Sequence, residues 1–88
     1  MLNPNEQYSI QRLTASGLIR SGNGQLGGFL VAQGTPTVTI YDNTAASGTI
    51  LLNAMVCAAG TSYPLPVALT IGAYAVISGA CDISFFYN

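Results

Sequence analysis

Three carboxylates, two guanidinium groups and two thiols are the groups with which this chain could do polar chemistry: Glu6, Asp42, Asp82, Arg12, Arg20, Cys57 and Cys81. Histidine is absent, so imidazole acid–base chemistry is excluded. A carboxylate-pair mechanism needs two acids a few ångströms apart. Glu6 lies in a polar leading segment, while Asp42 and Asp82 sit at the ends of apolar runs. All three read as solvated turn carboxylates. Asp42-Asn43-Thr44 offers oxygens, but a calcium loop requires several acids and this one has a single acid. Cys57 and Cys81 lack CxxC spacing and a histidine partner, and two thiols do not complete a four-ligand zinc site. They read as buried free thiols, the usual state of such residues. A disulfide between them is the alternative, disfavoured in a cytosolic product. The expectation is a chain with no catalytic, cofactor-binding or metal-ligating residue, hence no enzyme and no cofactor.

Two further groupings invite a ligand. The string GNGQLGG at Gly22–Gly28 has the glycine density of a phosphate loop but lacks the lysine, the Ser/Thr and the following helix. A hairpin turn at Asn23-Gly24 followed by a strand bulged at Gly27-Gly28 accounts for it better. Tyr8, Tyr41, Tyr63, Tyr74 and Tyr87 offer rings for a carbohydrate platform, with Tyr41, Tyr63 and Tyr74 the first candidates. Tyrosine is equally a residue of cores and protein interfaces, and that reading is preferred.

The elements that would position these groups belong to a chain of 88 residues, enough for one small domain. Charged residues make up 6% of it, against roughly 25% in ordinary soluble domains. Two cations give no electrostatic footprint for nucleic acid. Half the residues are hydrophobic, and a chain this small buries only about 60% of the surface it exposes when unfolded. Association with copies of itself or with a larger partner is the expected remedy. No apolar run reaches the 18 residues of a spanning helix; the nearest, Val67–Ala80, is broken by Thr70, Gly72, Ser78 and Gly79. No membrane partner is expected. The first residues lack the cationic start and apolar stretch of a signal peptide, so cytoplasmic synthesis is expected.

Met1–Gln7 is polar and reads as a flexible arm, leaving residues 8–88 as a single domain. Period-two alternation then recurs in short pieces. It is weak in Tyr8–Thr14 and Leu18–Arg20, and clearest in Thr37–Asp42, where Val38 and Ile40 share one face. Thr49–Cys57 alternates Ile50, Leu52, Ala54 and Val56 against Leu51, Asn53, Met55 and Cys57. Its length and flanking glycines favour a strand over a helix. Pro64 and Pro66 confine their segment to an edge or a crossover. Ala73–Ser78 and Cys81–Tyr87 complete a count of seven to eight short strands, with turn signals every 8–12 residues. That spacing predicts an all-β fold, an antiparallel β-sandwich of jelly-roll-like kind. The expected core is Val38, Ile40, Ile50, Leu52, Val76, Ile83 and Phe85, with Leu51, Met55 and Phe86 left on second faces as interface material.

Four strings carry a resemblance: GQLGGFLV at Gly24–Val31, IYDN running through a loop to Gly48, PLPVAL at Pro64–Leu69, and the closing DISFFY at Asp82–Tyr87. Over about Leu18 to Asn88 the chain resembles small β-rich virion proteins of tailed bacteriophages. The resemblance implies a structural particle component, a capsid cement or decoration protein, located in the virion. Copies of itself and a major capsid or tail protein would be its partners. It transfers no catalytic residue. The other function class kept open is a glycan- or receptor-binding β-sandwich module of a tail or head fibre, which would need a concave aromatic patch.

Overall fold

The computed structural model describes residues 8–88; the arm expected at Met1–Gln7 lies outside the described residues. Eight strands follow one another: β1 (Ser9–Leu13), β2 (Gly17–Ser21), β3 (Gly24–Gly34), β4 (Thr37–Asp42), β5 (Thr49–Val56), β6 (Thr61–Leu69), β7 (Gly72–Ser78) and β8 (Cys81–Tyr87). No helix occurs among the described residues, and Thr49–Cys57 takes the strand reading. The strands form two four-stranded sheets, sheet I in the order β1-β8-β3-β6 and sheet II in the order β2-β7-β4-β5. Every ladder is antiparallel. The chain behaves as one long hairpin with its tip at β4–β5. Pairs β3–β6, β2–β7 and β1–β8 nest around that tip. Ladders β3–β8 and β4–β7 then complete the two sheets. The molecule is 17 Å across its shortest dimension, the thickness of two sheets about 10 Å apart with little beyond them.

The core lies between the sheets. Sheet I contributes Leu26, Phe29, Val31, Leu69, Ile83 and Phe85, and sheet II contributes Ile19, Val38, Ile40, Ala73 and Ala75. The Phe29 ring sits 5.2 Å from Tyr63 and 5.4 Å from Phe85, an aromatic file down the middle of sheet I. Full burial of each large apolar side chain contributes roughly 1.5–3 kcal/mol, so these few residues carry most of the favourable free energy. Val38, Ile40, Ile83 and Phe85 occupy the core as their alternation predicts. Leu52 is only half-buried, though it packs against the core.

Three expectations fail in register. Ile50 is 48% exposed and not core. The β4–β5 ladder shifts twice, between Val38 and Ile40 and again between Ile40 and Tyr41, with the extra residues on β5. Ala54, at φ 41°, lies in the first irregularity, and its N–H is held by the Thr39 hydroxyl at 3.0 Å. Each bulge resets the alternation, so Leu51 and Met55 turn to the core instead of serving a second face. Val76 also lies outside the core, because β7 presents Ala73 and Ala75 inward. Ile77, the next inward residue of β7, packs against the core beside them. Third, Ser21–Gly24 is not a hairpin: β2 and β3 belong to different sheets, and this turn is a corner between them. Gly22, at φ 97°, makes the corner, and its N–H bonds the Ile71 carbonyl at 2.9 Å.

The Gly27-Gly28 pair does form a bulge, with the register shifting between Leu26 and Gly28 in both ladders of β3. Gly28 has φ 143°, and a Cβ there would strike the Tyr63 carbonyl. β6, with Pro64 and Pro66, is an edge strand, and its ladder with β3 is irregular around them. Sheet I is thereby closed at one edge by prolines and sheet II by the doubly bulged β5, two devices that obstruct strand addition.

Candidate binding surface

Cross-strand partners in an antiparallel sheet share a face. In sheet II, Leu18 lies opposite Tyr74, Tyr74 opposite Tyr41, and Tyr41 opposite Ile50. One row, Leu18–Tyr74–Tyr41–Ile50, therefore crosses all four strands. Its chain neighbours Ile19, Ala73, Ala75 and Ile40 point inward, so the row points out. Leu18 is 40% and Ile50 48% exposed, and the two tyrosines are half-buried against them. The next rows add Thr39 opposite Val76, then Ser78, Thr37 and Val56. Val56 is 70% exposed.

None of the charged side chains among the described residues joins this face. Arg12 and Asp82 meet on the outer face of sheet I, Nε to Oδ1 at 2.7 Å and Nη2 to Oδ2 at 2.9 Å. This bidentate pair raises the Arg12 pKa and lowers that of Asp82. Arg20 folds over the corner, donating from Nε and Nη2 to the Asn23 carbonyl at 2.9 and 2.7 Å, with its guanidinium 5.8 Å above the Tyr87 ring. Asp42 accepts hydrogen bonds from three consecutive backbone N–H groups, those of Thr70, Ile71 and Gly72, at 3.0, 2.9 and 3.3 Å to Oδ1. Those bonds, chiefly the one from Ile71, hold its carboxyl below the ordinary 3.8. The expected solvated turn carboxylates are thus engaged: Asp42 pins the β6–β7 turn and Asp82 an ion pair. Glu6 lies outside the described residues.

The five tyrosines do not converge. Tyr41 and Tyr74 are neighbours on sheet II. Tyr63 turns inward, stacks on Phe29 and accepts the Ala58 N–H at 2.8 Å through its hydroxyl. Tyr87 packs against the core, and Tyr8 covers Gly27. No cavity opens among the described residues, and no three His, Cys, Asp or Glu side chains gather as a metal site there. Both thiols are free. Cys57 is buried, as expected, whereas Cys81 is only half-buried, because it opens β8 at the rim of the sandwich. Desolvation raises the pKa of both, and the Asp82 charge adds to the rise at Cys81, so both stay protonated and weakly nucleophilic.

No family model matches the chain, and neither a curated protein nor a solved structure is similar enough to stand as a relative. The surface itself must carry the functional reading. Leu18 and Ile50 escaped sequence reasoning because alternation assigned Ile50 to the core and gave Leu18 no face. For Ile50 the signal was the apolar residue count of β5, which exceeds what one inner face accepts; Leu18 carried none.

Proposed function

We propose that this chain is a non-enzymatic structural protein of a viral particle, of the capsid cement or decoration kind, working in contact with copies of itself and a larger shell or tail protein. The observation that carries this reading is the uncharged row Leu18–Tyr74–Tyr41–Ile50 spanning sheet II, on a domain with no cavity among its described residues. Apolar faces of this extent on small proteins mark contact with another protein. The ladder order supports the same reading. Two sheets ordered β1-β8-β3-β6 and β2-β7-β4-β5 are the plan we read as a jelly roll, an architecture of viral capsid and lectin domains. The particle context comes from the resemblance of four short strings to small virion proteins of tailed bacteriophages. A glycan-binding module of the same architecture would want a concave aromatic site. Here two adjacent tyrosines stand on a sheet face and Tyr63 is committed to the core.

The test is quantitative mass spectrometry of virus particles purified through two density gradients from the lysates in which the chain is made. A fixed ratio to the major shell protein is expected. A chain that remains wholly in the soluble fraction overturns the proposal. Binding to a glycan array without particle incorporation replaces it with the glycan- or receptor-binding reading.

A further inference from the structure

The row on sheet II has a property that an arbitrary apolar patch lacks. Read across the sheet it runs aliphatic, tyrosine, tyrosine, aliphatic: Leu18, Tyr74, Tyr41, Ile50. It is a chemical palindrome centred between β7 and β4. A two-fold axis lying in the plane of the face, parallel to the strands and passing between β7 and β4, would set Tyr74 over Tyr41 of a second copy and Leu18 over its Ile50. Val76 would meet Thr39, and Ser78 would meet Thr37, of the same copy. Two-fold contacts demand this kind of self-complementary surface.

We infer that the outer face of sheet II is a face-to-face homodimer interface, its occupant a second copy of this chain. The inference rests on the self-assembly part of the proposed function and names the surface. One further observation favours a copy over another partner, and two bear on how it docks. The face has no charged group among the described residues, so a copy brings no like-charge repulsion, whereas a charged partner surface would leave its ions unpaired. Pro64 and Pro66 on β6 and the double register shift of β5 obstruct edge-to-edge pairing at one edge of each sheet, β1 and β2 forming the other edges. The area is also telling. Four strands about 4.8 Å apart and six residues long at about 3.3 Å give a flat footprint of roughly 19 by 20 Å. Two copies then contribute roughly 760 Å² before side-chain relief is counted, below the roughly 1,000 Å² that a stable specific interface clears. The dimer is therefore expected to be weak in isolation and suited to reinforcement by other contacts in a larger assembly.

Sedimentation velocity on the full chain from about 1 to 500 µM tests this. The wild-type chain is expected to pass from monomer to dimer across that range. Tyr41→Arg places two like charges near the axis and is expected to weaken dimerisation at least a hundredfold, with its β-sheet circular dichroism retained. Ile10→Arg, on the outer face of sheet I, is expected to leave dimerisation unchanged. If Tyr41→Arg fails to fold, Ile50→Ser and Val56→Ser test the same face with smaller changes, each expected to weaken the dimer several-fold. Mixing Tyr41→Arg with Tyr41→Glu is expected to restore a dimer containing one of each. A wild-type chain monomeric at 500 µM overturns the inference, as does a dimer broken by Ile10→Arg but not by the sheet II variants. Particle incorporation is scored separately. A monomeric chain still found in particles removes this interface and leaves the proposed function standing, whereas a dimer absent from particles does the reverse.

Discussion

The two outer faces of the sandwich are built on the same four-strand plan and dressed differently. On sheet I the row at Ile10 and Phe86 runs into Gly28 and Pro64, and the next row sets Arg12, Ser84, Leu30 and Ser62 side by side. Arg12 is tied to Asp82 there, and Tyr8 lies across Gly27. On sheet II the equivalent surface has hydroxyls, tyrosine rings and aliphatic chains but no ion. Both outer faces keep exposed apolar side chains, Ile10 and Leu30 on sheet I and Leu18, Ile50 and Val56 on sheet II, so what separates them is charge: sheet I carries the Arg12–Asp82 ion pair and the described residues of sheet II put no ion on their outer face.

The comparison is broken most severely by attacking what the faces share. Phe85→Ala removes a fully buried ring beneath both sheets and is expected to cost roughly 3–5 kcal/mol in urea denaturation, enough to unfold much of a small domain. A loss below about 1 kcal/mol would mean that the core does not run through Phe85. Gly28→Ala strains sheet I alone: a Cβ at φ 143° meets the Tyr63 carbonyl, and a loss of about 1–3 kcal/mol is expected by the same measurement.

Asp42 gives the next effect, at the end of sheet II. Its pKa is depressed in the folded chain, so its contribution is complete above the unfolded value near 3.8. That contribution fades as pH falls through 3.8 and below. Asp42→Ala is expected to cost about 1 kcal/mol at pH 7, reduced from the usual worth of charged hydrogen bonds because water reaches the site. Its deficit relative to wild type should shrink as pH drops below 4, read from denaturation midpoints at pH 7, 4 and 3. A deficit independent of pH would show that packing, not the carboxylate charge, holds the β6–β7 turn. Arg12→Ala is expected to have the smallest effect, no measurable shift in midpoint at 150 mM salt, because Arg12 is 66% exposed.

What the sequence made legible divides along physical lines. The β4 alternation, the proline edge of β6 and the glycine bulge of β3 could be read directly, because each depends on local backbone or side-chain rules. The inward face of β7 could not. Val76 is larger than Ala75 and looks the better core residue, but the ladder with β4 pairs Ala75 with the buried Ile40 and Val76 with Thr39. The bulges of β5 were hidden because a register shift belongs to two strands at once. The Asn23-Gly24 turn was legible as a turn, but its role as a corner between sheets depends on where β7 and β8 lie. The candidate surface was half visible. Tyr41 and Tyr74 were singled out, but their adjacency comes from a ladder joining segments more than thirty residues apart. Asp42 was read as idle because the three N–H groups it accepts from are 28 to 30 positions downstream.

The nesting of strand pairs has a consequence for synthesis. β8 is an inner strand of sheet I, lying between β1 and β3, yet it follows the other seven strands in the chain. On a ribosome, sheet II can in principle pair completely once Ser78 has emerged, whereas sheet I waits as separate pieces for Cys81–Tyr87. Until then Leu26, Phe29 and Val31 have no neighbouring strand on the β8 side. The final seven-residue strand thus acts as a release condition. A chain that stalls before it carries an open sheet edge and an uncovered apolar face, and is exposed to aggregation and proteolysis. A chain that completes it closes both together, with the N–H of Asn88 bonded to the Gln25 carbonyl at 2.8 Å.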